Sequence, residues 1–513
     1  MNLRVVSKYL SLIAVLVGGM MVFSLPWATA TLSGHGFEQD GFIGLLASIA
    51  ICWAVAAALW NWGRGDNGQL FRKEAMAVVG LSWVLATILG ALPFLISGTE
   101  RAPGVRMNVA DALFESQSGF STTGATVITD LENTDSVPRS ILFWRSSTHF
   151  LGGLGIIVLF VAILGQGSAG KTLMRAEMPG PTSDTSQARM QHTAWAFASI
   201  YVALNVVLTV LLRIEGMSWF NAICHAFGTM ATGGFSTYND SLRAFGSAEI
   251  EWTVLVFMIL AGTNFTLLYV LVIPKFGLRE KVSKIFGDVE YRVYLGILVG
   301  VTAWIIVFGL WIHDDFSTLT EALRYGSFQV VSIVTTTGFG THDFDQWNDF
   351  GRGMLFLLMF VGGCAGSTGG GMKVIRHILF LKIMRLEIER SFHPNVVRPL
   401  RLGGQPLENK ELRNNILVYF CLILVIFVFS WMALVTIEPD STWGGSNKLI
   451  DSATGIAATL NNIGPGLGTI GATQNYAHFT SASKILFTWL MMLGRLEIFV
   501  ILVLFMPAFW RTR

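Results

Sequence analysis

Ala322-Leu-Arg-Tyr-Gly-Ser-Phe-Gln-Val-Val-Ser-Ile-Val-Thr-Thr-Thr-Gly-Phe-Gly340 is semi-apolar and ends in a Thr- and Gly-rich run. A membrane span needs about 20 apolar residues, and this stretch turns polar before it reaches that length. Alone it reads as an outer turn. It gains meaning because three other stretches follow the same plan. They are Ala112-Leu-Phe-Glu-Ser-Gln-Ser-Gly-Phe-Ser-Thr-Thr-Gly-Ala125, Ala222-Ile-Cys-His-Ala-Phe-Gly-Thr-Met-Ala-Thr-Gly-Gly-Phe235 and Ser452-Ala-Thr-Gly-Ile-Ala-Ala-Thr-Leu-Asn-Asn-Ile-Gly-Pro-Gly466. Gly124, Gly233, Gly338 and Gly464 then recur at intervals of roughly 105 to 125 residues, which is an internal repeat.

The surrounding sequence places these stretches in a membrane. Of 513 residues 52% are hydrophobic and only 13% are charged, too few charges to clothe a soluble protein of this length. Apolar runs predict ten spans, over 10–30, 41–62, 75–97, 139–164, 192–212, 251–273, 292–312, 353–381, 415–437 and 484–509. After the first two, the remaining spans pair up, and each pair encloses one of the four stretches. The predicted organisation is 1–72 as two extra N-terminal spans, then units 73–170, 171–280, 281–400 and 401–513.

Charge sets the orientation. Arg64, Arg72 and Lys73, then Lys171, Arg175 and Arg189, then Lys275, Arg279, Lys281 and Lys284 fall on one side, with Arg376, Lys382, Arg385, Arg390, Arg398, Arg401, Lys410, Arg511 and Arg513. The opposite loops are acidic, with Glu38, Asp40, Asp130, Glu132, Asp135, Asp314, Asp315, Asp343, Asp345, Asp349, Glu438 and Asp440. The positive-inside rule makes both termini cytoplasmic. Arg4 and Lys8 precede an apolar run, and Ala28-Thr29-Ala30 looks like a signal-peptidase site. The run is long and a second span follows closely, so an uncleaved first helix is expected. Cys52, Cys224, Cys364 and Cys421 have no metal-ligand spacing and read as small buried residues.

A non-helical loop at membrane depth leaves backbone groups that must be buried in protein or face a watery path. Four such loops can close around one axis. The half-helices before them would then aim their partly negative C-terminal ends inward, which favours a cation. The Thr-Gly segments could present carbonyl oxygens in place of a hydration shell, which suits a large monovalent ion. The expected ion-binding residues are Thr122, Thr123 and Gly124; Ala231, Thr232 and Gly233; Thr336, Thr337 and Gly338; and Asn462, Ile463 and Gly464.

At these residues the chain resembles the Trk/Ktr/HKT superfamily of potassium-translocating proteins, and within it the TrkH/TrkG branch. The resemblance runs from about Lys73 to the end. It rests on Trp144-Arg-Ser-Ser-Thr-His-Phe-Leu-Gly-Gly-Leu-Gly-Ile156, Gly362-Gly-Cys-Ala-Gly-Ser-Thr-Gly-Gly-Gly-Met-Lys373, Asn461-Asn-Ile-Gly-Pro-Gly466 and Gly494-Arg-Leu-Glu-Ile498. It implies an all-α polytopic membrane protein with four tandem span–pore-helix–span units in a pseudo-fourfold pore, plus two extra N-terminal spans. It further implies potassium as the transported ion with no tightly bound cofactor, a bacterial inner-membrane location among lipid, and a homodimer. The implied partner is a cytosolic TrkA-type nucleotide-binding regulatory subunit, with no role for nucleic acid. The second and fourth loops depart from Thr-Thr-Gly, so selectivity should be lower than in a filter of four identical segments.

Two features read as a gate. Gly362, Gly363, Gly366, Gly369, Gly370 and Gly371, with Ser367 and Thr368, lie inside an apolar run. Each glycine costs a helix about 1 kcal/mol against alanine, so an unwound loop is expected beneath the filter. Arg495 lies in the last span, where a buried arginine needs water or a partner. Its other reading is a salt bridge to Glu497 or a bond to a backbone carbonyl; Glu497 is two residues away and on another helix face, so a pore-facing role is preferred. Arg145 and His149 read as supports for a pore helix, and His225 and Asn264 as satisfied polar groups. For Glu115 two roles stay open, bracing the filter from behind or raising local cation concentration. A secondary transporter coupling potassium to protons or sodium is the alternative, disfavoured by the scarcity of titratable groups along the expected path. No nucleophile–base or metal constellation points to an enzyme.

Overall fold

The computed structural model describes residues 1–33, 36–65, 71–155, 187–272, 277–394, 400–402, 405–407, 410–496 and 498–511. The expected continuation of a span over 156–164, Glu497, and the basic residues Lys171, Arg175, Lys275, Arg398 and Arg513 lie outside the described residues.

Helices α1 (Leu3–Val22) and α2 (Gln39–Gly63) form the N-terminal pair. The first unit then contains α3 (Arg72–Ile96), the half-helix α4 (Val109–Phe120) and α5 (Arg139–Leu154). The second contains α6 (Gln187–Ile214), the half-helix α7 (Trp219–Met230), α8 (Ala248–Ala261) and α9 (Phe265–Val272). After the amphipathic helix α10 (Leu278–Gly287), the third has α11 (Val289–Trp311), the half-helix α12 (Leu319–Val334), α13 (Asp349–Leu358) and α14 (Val374–Phe392). The fourth has α15 (Lys410–Ile437), the half-helix α16 (Lys448–Leu460), α17 (Ser481–Arg495) and α18 (Phe499–Leu504). Strand is confined among the described residues to two short hairpins, Glu100–Ala102 with Val105–Arg106 and Leu400–Leu402 with Gln405–Leu407.

The two spans of a unit differ in kind. Among the described residues, the uninterrupted helices long and apolar enough to cross a membrane are the N-terminal pair and the first helix of each unit. The expected continuous second spans over 251–273, 353–381 and 484–509 are instead divided. The axis between α8 and α9 turns by 103° at Gly262–Asn264. The third unit opens into the glycine-rich loop between α13 and α14, and the fourth breaks after Arg495, with Ile498 at φ +35°. In the first unit α5 stops at Leu154, with Gly155 at φ +78°. Apolar composition continues across these breaks, so hydropathy could not register them.

The apolar core has two large parts and a small third cluster of Ala365, Ile375, Leu379, Ile383 and Ile416. One large part joins α1–α5 to the fourth unit through residues such as Val17, Trp83, Phe114, Trp144 and Phe487. The other joins the second and third units through Tyr201, Met258, Tyr294, Phe328 and Leu355. Lipid gives little driving force for packing apolar faces together, so close approach depends on small residues and polar bonds. Gly90 is an example: a Cβ there would stand 2.6 Å from Ser116 Oγ, and its carbonyl accepts from Trp144 Nε1 at 3.0 Å. The N-terminal pair is also tied to the first unit. Glu38 accepts from the Arg139 and Ser140 amides at 2.9 and 3.1 Å, capping α5 where Pro138 offers no side-chain cap. Cys52, Cys224 and Cys364 are buried as expected, whereas Cys421 is exposed.

Candidate functional site

Each half-helix begins at a side-chain cap. Asn108, Ser218, Thr318 and Asn447 accept from the amides of Asp111, Asn221, Glu321 and Ile450 at 3.0, 3.2, 3.2 and 3.4 Å. Each ends in the same turn, closed by an amide reaching back five residues. The bonds are Thr123 to Ser118 (2.9 Å), Gly233 to Gly228 (2.8 Å), Thr337 to Ser332 (2.8 Å) and Ile463 to Ala458 (2.8 Å).

The backbone after the turn repeats too. Thr122, Thr232, Thr336 and Asn462 adopt φ of +54°, +54°, +58° and +55°, and two residues later Gly124, Gly234, Gly338 and Gly464 adopt +80°, +77°, +80° and +100°. This corrects the register expected for the second loop. Gly234, not Gly233, is the counterpart of Gly124; Gly233 stands where the others have Thr123, Thr337 and Ile463, and Ala231 only caps its half-helix. The repeat is [Thr/Asn]-x-Gly, which the adjacent glycines of Thr232-Gly233-Gly234 obscured. Left-handed dihedrals cost an L-residue roughly 1–2 kcal/mol, most heavily when it is β-branched, so three threonines here mark strain held by the surroundings.

The four glycines close a ring. A Cβ on Gly124 would run into the Gly233 carbonyl oxygen, one on Gly234 into that of Thr337, and one on Gly338 into that of Ile463. One on Gly464 would meet that of Thr123, at 2.5 Å. Each loop therefore seats its glycine against a carbonyl of the next, and the fourth returns to the first. All four glycines line a single cavity of about 100 Å³, whose wall includes Thr126, Asn239, Gln474 and Tyr476.

Buried charges brace the ring from behind. Arg145 Nε lies 2.6 Å from Glu115 Oε1, with both side chains almost wholly buried. Glu115 also accepts from Thr126 Oγ1 (2.9 Å) and the Val127 amide (3.0 Å), so the first of its two open roles is the one its contacts match. Arg145 donates to the Ser236 carbonyl at 2.9 Å and stacks over Phe235 at 3.5 Å. The His149 ring spans two loops: Nε2 accepts from the Phe235 amide (3.1 Å), leaving Nδ1 to donate to the Gly119 carbonyl (2.8 Å). His225 meets Asn221 O and Ser236 Oγ, and Asn264 caps α9 by accepting from the Thr266 amide at 2.8 Å. Between units, Lys484 Nζ pairs with Asp111 Oδ1 at 2.6 Å, and Arg324 with Glu251 at 2.6 and 2.8 Å. Composition hinted at none of these inter-unit pairs.

On the face of the ring opposite the cavity lies the glycine-rich loop. Its neck is zipped by Gly362 N–H to Met372 O (2.7 Å) and Val374 N–H to Gly363 O (3.2 Å). Its body docks on the α8–α9 break, with Cys364 N–H to Gly262 O (2.9 Å) and Phe265 N–H to Gly366 O (3.0 Å). Thr368 reaches the Ala261 carbonyl through both its amide (3.3 Å) and its hydroxyl (3.2 Å). The tip meets the ring: Gly370 N–H donates to Thr336 Oγ1 at 2.8 Å, and a Cβ on Gly369 or Gly371 would stand 3.1 Å from Thr335 O or Asn461 O. Glycines are needed because backbone packs on backbone. Ser367 Oγ accepts from Lys373 Nζ at 3.3 Å, and Lys373 also bonds Gly369 O.

Arg495 joins loop to ring. It donates to Thr122 Oγ1 at 3.0 Å, Thr368 O at 2.7 Å and Gly152 O at 2.5 Å. The Asn461 and Asn462 side-chain oxygens are buried with no hydrogen-bond partner among the described residues. They are acceptors beside the loop tip, near Gly371 and Gly370 respectively. Among the described residues no group of three or more His, Cys, Asp or Glu forms a metal cluster.

A family profile described as TrkH, cation transport protein, matches residues 44–512. The chain is 36% identical to the Trk system potassium uptake protein TrkH of Salmonella typhimurium, over the full length of both. It is 31% identical to the Trk system potassium uptake protein TrkG of Escherichia coli strain K12, over 96% of each. The crystal structure of the potassium transporter TrkH from Vibrio parahaemolyticus superposes with a TM-score of 0.83 at 32% identity, covering 100% of both chains. The match extends into the second N-terminal span, further than the motifs quoted above, and with the four-unit ring it places this chain in the TrkH family of cation transport proteins.

Proposed function

We propose that this chain is the potassium-conducting pore subunit of a Trk-type uptake system. Its relatives are named as potassium uptake proteins, and the closed ring of four glycine–carbonyl contacts is the observation that carries the reading. In it, Thr122–Gly124, Thr232–Gly234, Thr336–Gly338 and Asn462–Gly464 replace the hydration shell of potassium with neutral backbone oxygens. The left-handed residues Thr122, Thr232, Thr336 and Asn462 set the course of those segments, and the half-helix C-termini stabilise the positive ion. A smaller sodium ion pays more to dehydrate and finds the oxygens held too far apart by the ring.

The loop Gly362–Gly371 and Arg495 lie below this filter as its closure. Both termini face the cytoplasm of a bacterial inner membrane, two copies pair, and a cytosolic TrkA-type nucleotide-binding subunit governs opening. The test is rubidium and potassium flux from liposomes holding the purified chain, with and without such a partner. Flux that follows the imposed voltage and excludes sodium supports the reading. Uphill potassium uptake driven by a pH gradient alone would replace it with coupled transport.

A further inference from the structure

The glycine-rich loop is also held by a carboxylate that belongs neither to the loop nor to the ring. Glu290 lies in the first turn of α11, and its side chain is almost completely buried. A single oxygen, Oε1, accepts from the Ala365 amide at 2.7 Å and from the Ile375 amide at 2.9 Å. Ala365 lies on the limb of the loop that enters it, and Ile375 opens α14, which leaves it. One carboxylate from another helix thus bridges both limbs.

A buried carboxylate in a membrane protein is expensive unless it faces donors, and its retention marks a role. Two backbone amides, together with its own place at a helix N-terminus, satisfy it here. The reverse dependence matters more. Without Glu290, two buried amides would lose their acceptor, and the neck would keep the backbone bonds of Gly362 and Val374, the His377 contact to the Phe360 carbonyl at 3.0 Å and the Lys373 bonds within the loop.

The position also gives the clasp a handle. Asp288, two residues earlier, caps α11 by accepting from the Tyr291 amide at 2.8 Å and directly follows α10. On α10, Leu278, Val282 and Phe286 are exposed and fall four residues apart, on one face, beside Arg279, Lys281 and Lys284. A movement of α10 is therefore delivered within three residues to the carboxylate that holds the loop.

We propose that Glu290 is the positioning residue that latches the glycine-rich loop shut beneath the ring, and that displacement of α10 releases it. This rests on the loop being the closure of a potassium pore. Glu290 touches the loop and not the ion path, so it acts through the loop's placement.

The native Cys364 reports on the loop. It is 1% exposed, its amide is bonded to Gly262 O, and no other described cysteine lies in the loop. In a full-length chain carrying Cys52→Ala, Cys224→Ala and Cys421→Ala, reconstituted without partner, Glu290→Ala should raise basal rubidium flux about tenfold or more, the worth of two ordinary hydrogen bonds. Cys364 should become reactive towards a charged thiol reagent added from the cytoplasmic side. Glu290→Gln keeps an oxygen acceptor and should stay near the parent in both readouts, while Glu290→Asp, one methylene shorter, should fall between. If Glu290→Ala does not yield folded protein, Glu290→Asp carries the test. Parent-like flux and parent-like Cys364 reactivity in the folded Ala or Asp variant overturn the latch. A parent that conducts no potassium at all, with or without a TrkA-type subunit, overturns the pore reading instead, and the two failures are distinct.

Discussion

Replacing Arg495 should open the pore at rest, and the structure sets the size of the effect. The guanidinium is 3.0 Å from the hydroxyl of Thr122, whose segment carries the ion in the proposed mechanism. For a cation at that level we take a separation of about 6 Å from the charge. At an effective dielectric near 20 the repulsion is then about 3 kcal/mol, which lowers occupancy of the inner mouth roughly a hundredfold. A second contribution is mechanical, because the bond to Thr368 O at 2.7 Å holds the loop against the ring. The two separate by choice of substitute. Arg495→Gln removes the charge while keeping some bulk and a donor; Arg495→Lys keeps the charge and loses the fork that reaches three acceptors. The assay is rubidium efflux from liposomes without partner, at fixed voltage. Charge control predicts that Arg495→Ala and Arg495→Gln both leak, by something approaching the hundredfold, while Arg495→Lys stays low. Leak from Arg495→Lys equal to that from Arg495→Ala would show that the tether, not the charge, closes the path. Wild-type flux in both Arg495→Ala and Arg495→Gln would refute the reasoning altogether.

Three further outcomes follow from the geometry. Gly234→Ala, at φ +77° and against the Thr337 carbonyl, should lower potassium-over-sodium selectivity; Gly233→Ala, with ordinary dihedrals, should chiefly displace His149. Reversal potentials in mixed salts check this, and equal selectivity loss in both would refute the revised register. Lys484→Met leaves the buried Asp111 carboxylate with only the Asn108 amide at 3.1 Å and a longer ion pair to Arg101 at 4.0 Å, so thermal unfolding in detergent should show a loss of about 3 kcal/mol, largely recovered by adding Asp111→Asn. Asp345, in the loop after the third ring segment, caps the Gly468 amide at 2.9 Å and is pushed up to about 6, first by burial, with Asp343 and Asp451 adding to it. A folded value above the unfolded 3.8 means that the protonated form favours the fold. That contribution is full below the unfolded value and is lost as pH rises to about 6. The melting temperature of wild type relative to Asp345→Asn should therefore fall across that window, and a constant difference would count against it.

The sequence made some levels of this protein readable and hid others for definable reasons. The N-terminal pair and the first helix of each unit were plain, because a long apolar run has one solution in lipid. The half-helices were plain as a set, since each starts at a capping residue and ends in a Thr- or Asn-containing turn. The divided second spans were not, because what breaks α8 from α9 is docking against a loop over 100 residues further on, at Cys364, Gly366 and Thr368. The glycine-rich loop was legible from its density of glycine. Its clasp was not, because Glu290 looks like any acidic residue in a first turn. The slip at Gly233 has a similar origin: two adjacent glycines fit a motif equally well, and only the sign of φ separates them.

The ring of glycine–carbonyl seats behaves as a hoop. A channel of identical subunits keeps its bore round by symmetry; this single chain has four unequal segments and no symmetry to rely on. Contact does that work instead, since each segment is gauged against its neighbour and the last against the first. Widening at one corner must be passed on around the circuit, so the diameter of the ring is a property that no unit owns. Duplicated units can then drift in sequence, to Asn462-Ile463 in one and Thr232-Gly233 in another, provided each retains the one residue without a side chain.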